Sequence, residues 1–178
     1  MPFGEYVPLR PLATRISARV AEIERDMVPG TAPSPLVVDD LALAEALCFD
    51  VAYDEVLREQ VAQGAQLAVV QTSNAMFLGT AQPEQQWMLT RARAIELGRS
   101  VVVSSMNGIS GAIAPDGRVI VRLPTARSGG AVASVPVESG TTLAVRLGAW
   151  PARTVYALGI ASLLAAGWRA RRKGATDA

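Results

Sequence analysis

From residue 36 onward, short apolar runs alternate with longer stretches of helical period, and this alternation restricts the chain to a few layered architectures. Leu36 to Val38 and Leu43 to Leu47 are the first runs. The second leads directly into Cys48 and fits strand or helix by pattern alone; we read it as a buried strand. Tyr53, Val56, Leu57 and Val61 then share one helical face, with Asp50 and Asp54 in the first turn and Gly64 placed to end it. Leu67 to Val70 is a short buried strand. A polar, glycine-containing loop over 72–82 precedes a second helix from Pro83 to about Leu97, stopped by Gly98. Val101 to Val103 is another apolar strand. Asp116-Gly117 supplies the positive φ angles of a tight hairpin between Gly111–Ala114 and Val119–Leu123. A last strand is expected near Ala131 to Val137. Strand, helix, strand, helix, strand and hairpin predict an α/β plan with helices packed on a sheet. Ahead of it, Leu12, Ile16, Val20, Ile23 and Met27 predict an amphipathic helix ending at Pro29-Gly30, and Pro33 and Pro35 mark a loop.

Composition removes several chemistries. The chain has 178 residues, half of them apolar, enough for one core of normal domain size. Its 17 basic and 16 acidic residues are spread along the chain and leave a net charge of +1, so no nucleic-acid footprint is present. Histidine is absent, which excludes Ser-His and Cys-His dyads built from this chain and imidazole-centred zinc sites. One cysteine excludes an internal disulfide and a multi-thiolate metal site. No cofactor is implied. Cys48 is either a small buried apolar residue or a reactive thiol. Its place between an expected strand and an expected helix brings the second reading level with the first, because that junction exposes a side chain near unpaired backbone N–H groups. Such groups lower a thiol pKa and stabilise the oxyanion of acyl transfer. Asp50 would oppose a thiolate unless it faces away or is neutralised.

Thr154 to Trp168 is a stretch of fifteen residues without a charge, flanked by Trp150 and Arg153 and by Trp168, Arg169, Arg171, Arg172 and Lys173. Fifteen helical residues cover about 22 Å, short of the ~30 Å hydrocarbon core of a membrane. A span must therefore borrow Leu147 to Ala152 and let Arg153 snorkel. The flanking tryptophans suit an interfacial belt, and the basic cluster places the C-terminus in the cytoplasm. The competing reading is a core helix with a solvated basic tail. The N-terminus shows neither a basic n-region nor an apolar h-region, so no secretory signal is expected.

Four stretches, in order, resemble the C-terminal half of the apolipoprotein N-acyltransferases, the membrane-embedded branch of the nitrilase, or carbon-nitrogen hydrolase, superfamily. They are Pro2-Phe3-Gly4-Glu5-Tyr6-Val7-Pro8, Leu47-Cys48-Phe49-Asp50-Val51-Ala52-Tyr53, Gln71-Thr72-Ser73-Asn74-Ala75-Met76-Phe77 and Arg93-Ala94-Ile95-Glu96-Leu97-Gly98-Arg99. The hairpin Gly111-Ala112-Ile113-Ala114-Pro115-Asp116-Gly117 also fits. The resemblance implies a partial nitrilase-like αββα sandwich over residues 1–146, one transmembrane helix over 147–168 and a basic cytoplasmic tail over 169–178. It implies a bacterial plasma membrane, with the catalytic domain on the extracytoplasmic side.

The implied reaction takes a fatty acyl chain from a phospholipid as a cysteine thioester and passes it to the N-terminal amine of an apolipoprotein. By resemblance Cys48 is the nucleophile, Glu5 the supporting carboxylate, and Phe49 and Asp50 the residues following the cysteine. Asp50 departs from a glutamate there and is one methylene shorter. Met76, Phe77 and Leu78 are candidates either for contact with acyl chains or for a buried loop anchor. The family's glutamate base and oxyanion-stabilising lysine lie upstream of the Pro2 motif. The only lysine here is Lys173, in the tail. Relatives carry an apolar residue, often valine, where Met1 stands. The expectation is therefore a longer functional protein, through a misassigned start or a truncated gene, and an isolated chain that does not turn over. The competing readings are a soluble nitrilase-type amidase fragment and a non-catalytic membrane-associated remnant.

Overall fold

The computed structural model describes residues 6–17, 20, 25–28, 30, 32–123, 125 and 128–176, the side chains of 169–176 excepted. Two compact units divide at Ala32 and Pro33. In the first, α1 (Arg10–Ile16) ends far short of the helix expected to Met27, and Ser17 is extended with φ −144°. The cause is tertiary. The carboxylate of Asp26 accepts the Val7 N–H at 2.8 Å and the Arg10 guanidinium at 2.5 and 3.2 Å. A straight helix over 10–26 would instead hold those ends about 24 Å apart. The Arg10 guanidinium, followed by the Val7 N–H, holds the Asp26 carboxyl below its ordinary range. A carboxyl with a depressed folded pKa adds stability above its unfolded value and loses it as pH falls through the folded value. We expect the Val7 amide resonance to stay constant on acidification until pH is below the usual carboxylate range, then to move. In Asp26→Asn it should be displaced at every pH.

The second unit is built on a six-stranded sheet in the order β1 (Leu36–Val38), β2 (Leu41–Leu47), β3 (Leu67–Thr72), β4 (Val101–Ser105), β5 (Gly111–Ile113), β6 (Val119–Arg122). β2, β3 and β4 are parallel, with Ala46 opposite Val70 and Val70 opposite Val103. β1, β5 and β6 join antiparallel. The parallel strands are connected through α2 (Asp54–Ala62) and α3 (Gln82–Leu97).

Strand parity decides where the core sits. Ala44, Ala46, Ala68, Val70, Val101, Val103 and Ile113 point to one face. There they pack with Leu57 and Val61 of α2 and Trp87, Ala94 and Leu97 of α3. The small residues of β2 let α2 approach closely. Val145, in α4 (Leu143–Leu147), closes the same cluster. Gly98 ends α3 at φ 61°, a conformation that disfavours L side chains, and a Cβ there would lie 2.8 Å from the Thr142 methyl. On the opposite face Leu43, Val69 and Val102 are half-buried, and Leu36 and Val38 are 47% and 48% exposed. The α/β plan is thus observed as one helix-covered sheet; the described residues contain no second sheet.

β1 reaches only as far as Leu43, so Glu45 has no strand partner on that side. Gln60 takes the place of one: its Oε1 accepts the Glu45 N–H at 2.9 Å and its Nε2 donates to the Glu45 carbonyl at 2.8 Å.

Two expectations for the C-terminal part change. Residues 131–137 form no strand. Pro136 has no N–H to donate to a ladder, its carbonyl accepts the Ser100 hydroxyl at 2.7 Å, and the Glu138 N–H goes to Gln66. The long helix α5 (Trp150–Thr176) starts after Gly148 (φ 55°), so Leu147 to Ala149 do not extend it. Among the described residues no helix is long and apolar enough to cross a membrane. Arg153, Thr154, Gly159, Ser162 and Gly167 dilute the apolar run. Every described side chain of α5, over 150–168, is exposed.

Candidate active site

Cys48 lies where β2 ends, and the chain leaves through a 3-10 turn, Cys48–Ala52, before α2 begins at Asp54. The strand-to-helix junction is as expected, but the helix that follows at once is this single tight turn. Cys48 itself has φ 51°, one of three non-glycine residues with positive φ among the described residues. For a side-chain-bearing residue that conformation costs on the order of 1–3 kcal/mol and persists only where its surroundings over-determine it. The half-buried thiol donates to the Ser73 carbonyl at 3.9 Å, and the Cys48 carbonyl accepts from Gln86 Nε2 at 2.9 Å.

The carboxyl ends of three parallel strands meet here, the usual location of sites in open α/β sheets. β2 delivers Cys48, β3 delivers Thr72, Ser73 and Asn74, and β4 delivers Ser105 and the loop to Ser110. A buried amide network joins them. Asn74, 2% exposed, donates from Nδ2 to Gln86 Oε1 at 2.8 Å, and its Oδ1 accepts the Ser105 hydroxyl at 3.3 Å. Gln86 Nε2 also donates to Thr72 Oγ1 at 3.2 Å. The Gly108 N–H donates to Ser105 Oγ at 2.7 Å. A Cβ at Gly108 would sit 2.4 Å from Asn74 Oδ1 and 2.7 Å from Ser105 Oγ, both held in place by these bonds. Gly108→Ala is therefore expected to cost about 1–3 kcal/mol by overpacking, read as a lower urea midpoint at unchanged m-value.

The far end of the turn is held by Arg93 on α3. It is 8% exposed, donates from Nε to the Val51 carbonyl at 2.9 Å and from its terminal nitrogen to the Ala52 carbonyl at 3.1 Å, and pairs with Asp54 and Glu96. Burial opposes its charge, but Glu96 and Asp54 outweigh that and raise its pKa above the ordinary value. Arg99, 1% exposed, donates to the Ala65 carbonyl at 2.8 Å ahead of β3. Burial lowers its pKa, and Glu138 partly offsets this.

The other anticipated residues fall as follows. Asp50 turns back to accept the Leu47 N–H at 3.2 Å, which directs its carboxylate to backbone. Phe49 is 45% exposed and stacks edge-to-face on Tyr53, ring centroids 6.2 Å apart. It also lines a cleft of about 420 Å³ between the turn and α3. Met76 is 90% exposed and Leu78 58%, so neither is a buried anchor; Phe77 is half-buried. Glu5 lies outside the described residues. Among the described residues no carboxylate or cationic side chain hydrogen-bonds the Cys48 thiol, and no cluster of three metal-ligating side chains occurs. Gln86 was not anticipated, and Asn74 and Arg93 were anticipated only as parts of motifs. A polar residue that substitutes for a backbone partner leaves no periodic signal.

The carbon-nitrogen hydrolase family model matches residues 10–145. Among curated proteins, an apolipoprotein N-acyltransferase of Vibrio vulnificus is 31% identical over 98% of this chain and 34% of its own length. One from Gloeobacter violaceus is 32% identical over 98% of this chain and 33% of its own. One from Mycolicibacterium smegmatis is 38% identical over 68% of this chain and 20% of its own. The chain thus spans about a third of the length of the first two. Two solved structures share the fold. An amidase from Nesterenkonia sp. has a TM-score of 0.51 at 24% identity, over 76% of this chain and 51% of its own. A carbon-nitrogen hydrolase from Helicobacter pylori has 0.51 at 14%, over 56% and 42%.

Proposed function

Because this chain belongs to the carbon-nitrogen hydrolase family, we propose that it carries the nucleophile of an apolipoprotein N-acyltransferase, with Cys48 bearing the acyl group. The observation that carries the reading is Cys48 held at φ 51° on the carboxyl rim of the parallel strands, in a sequence similar to proteins of that name. In the first step the Cys48 thiolate attacks an ester carbonyl of a phospholipid, the C–O bond to glycerol breaks, and a lysophospholipid leaves with a proton. In the second, the α-amine of an apolipoprotein attacks the thioester, the C–S bond breaks, an amide forms and the amine proton passes to the departing Cys48 sulfur, which restores the thiol. Dividing the transfer at a thioester replaces one hard step by two easier ones. Glu5 is the supporting carboxylate and Phe49 packs beside the reacting atoms. Met76 and Phe77, on the loop after β3, meet the acyl chain; the exposure of Met76 supports that role over an anchor.

α5 is the membrane anchor. An apolar helix surface with every described side chain exposed has to be covered, and lipid covers it without a protein partner. Trp150 lies at its start with the Arg153 guanidinium 5.9 Å from its ring centroid, as at a lipid–water boundary. In this reading Cys48 faces the outer side of a bacterial plasma membrane, and α5, which is not apolar enough to cross on its own, lies in the lipid boundary.

Incubation of the detergent-solubilised chain with p-nitrophenyl butyrate is expected to give one hydroxylamine-labile butyryl adduct per chain by intact mass, and none in Cys48→Ser. Equal acylation of the two would sink the nucleophile assignment. Steady release of carboxylic acid from small amides would instead support an amidase. In cells expressing the chain, a membrane-impermeant maleimide should label Cys48 before lysis; labelling only after lysis would reverse the topology.

A further inference from the structure

We infer that Gln86 is a positioning residue for the nucleophile, whose side-chain amide locks Cys48 in its left-handed conformation and sets the strand end that receives the thiol. This rests on the nucleophile reading above and adds a residue to it. Gln86 lies near the start of α3 and reaches across to two strand ends at once. Its Nε2 donates to the Cys48 carbonyl at 2.9 Å and to Thr72 Oγ1 at 3.2 Å, and its Oε1 accepts from Asn74 Nδ2 at 2.8 Å. Thr72 and Asn74 are 8% and 2% exposed, and between them stands Ser73, whose carbonyl faces the thiol at 3.9 Å. One side chain therefore controls both ends of the local frame of Cys48: its own main chain, and the acceptor its sulfur faces.

The need for such a brace follows from the backbone. A positive φ at a residue with a Cβ relaxes toward the right-handed or extended regions unless something holds it. No glycine neighbours Cys48 to absorb the turn, and the next residue is Phe49. Arg93 holds only the distal carbonyls, those of Val51 and Ala52. Gln86 alone among the described side chains bonds to the nucleophile's own peptide unit. The carbonyl of Cys48 needs a donor, which an amide provides and a carboxylate cannot.

Two variants of the full chain in detergent test this. Gln86→Met keeps side-chain length without donor or acceptor, and Gln86→Glu keeps shape but faces a carbonyl oxygen with a carboxylate. Acylation by p-nitrophenyl butyrate needs an oriented sulfur, whereas alkylation by iodoacetamide needs only an accessible one. With far-UV dichroism unchanged, the ratio of acylation to alkylation rates at Cys48 is expected to fall about 10- to 100-fold in both variants, the scale of one lost hydrogen bond with a displaced reacting atom. An unchanged ratio overturns the inference. If the parent chain is not acylated at all, the nucleophile reading fails separately. Positioning is then read from the single amide resonance of chain labelled with 15N-cysteine. Its HN–Hα coupling reports φ of Cys48 directly. A coupling that changes in Gln86→Met, or in Gln86→Glu if the methionine variant does not fold, retains the inference, and an identical coupling overturns it.

Discussion

Trp87→Ala is expected to lower the unfolding free energy by about 3–5 kcal/mol, the usual cost of deleting a buried aromatic side chain. The indole is 3% exposed and fills the space between α3 and the β5–β6 hairpin. Gly111 on β5 lies so close that a Cβ there would be 3.0 Å from the far edge of the ring. The guanidinium of Arg122, the register partner of Gly111 on β6, lies 5.7 Å from the ring centroid, tied in turn to Glu84. That stacking adds about 0.5–1 kcal/mol at an exposed site. Neither neighbour can collapse into the cavity: one is backbone in a paired strand, the other an exposed cation. Urea unfolding followed by far-UV dichroism measures the loss, with Trp87→Phe retaining a large part of the stability. A cost below about 1 kcal/mol, within the range of ordinary substitutions, would mean that the indole does not bear the contact between α3 and β5.

The strand and helix order from residue 36 was legible because burial there is one-sided. Ala44, Ala46, Ala68, Val70, Val101 and Val103 alternate with residues that face away, and Trp87, Thr90, Ala94 and Leu97 recur at helical spacing. Gly64 and Gly98 adopt the positive φ that their positions implied. Elsewhere local pattern lost to tertiary structure. The apolar spacing of the N-terminal segment continues past Ile16, but the Asp26 carboxylate needs the chain to return to Val7. The alternation before Val137 reads as a strand, but Pro136 leaves a gap in any ladder. At the site, the place of Cys48 between strand and helix could be read from the run before it and the period after it. The amides that brace it could not. Asn74 and Gln86 bond to strand ends that become neighbours only once the sheet has formed, and nothing in the linear order of residues marks them.

Replacing Arg93 by methionine is expected to cost about 3 kcal/mol, chiefly because two carbonyls lose charged donors, each such bond being worth about 1.5–3 kcal/mol. The ion pairs contribute less. Asp54 is 60% exposed and Glu96 26%, so both carboxylates regain water when the guanidinium goes, and partly exposed pairs are worth at most about 1 kcal/mol. Val51 is fully buried, so its carbonyl gains no comparable substitute. The guanidinium has a raised folded pKa, so its stabilisation is complete below its unfolded value and is lost only as pH rises through the folded one. Both lie far above neutrality, so the deficit in urea unfolding should not change with pH across the neutral range. Arg93→Lys should recover only part of it, since one ammonium cannot reach two carbonyls and two carboxylates in the geometry of a planar fork. The carbonyls of Val51 and Ala52 close the turn that Cys48 opens. Arg93→Met should therefore also increase hydrogen exchange at Tyr53, whose N–H donates to the Asp50 carbonyl at 2.9 Å within that turn. If Tyr53 exchange and the urea midpoint both stay at parental values, Arg93 is not the distal clamp of the nucleophile turn.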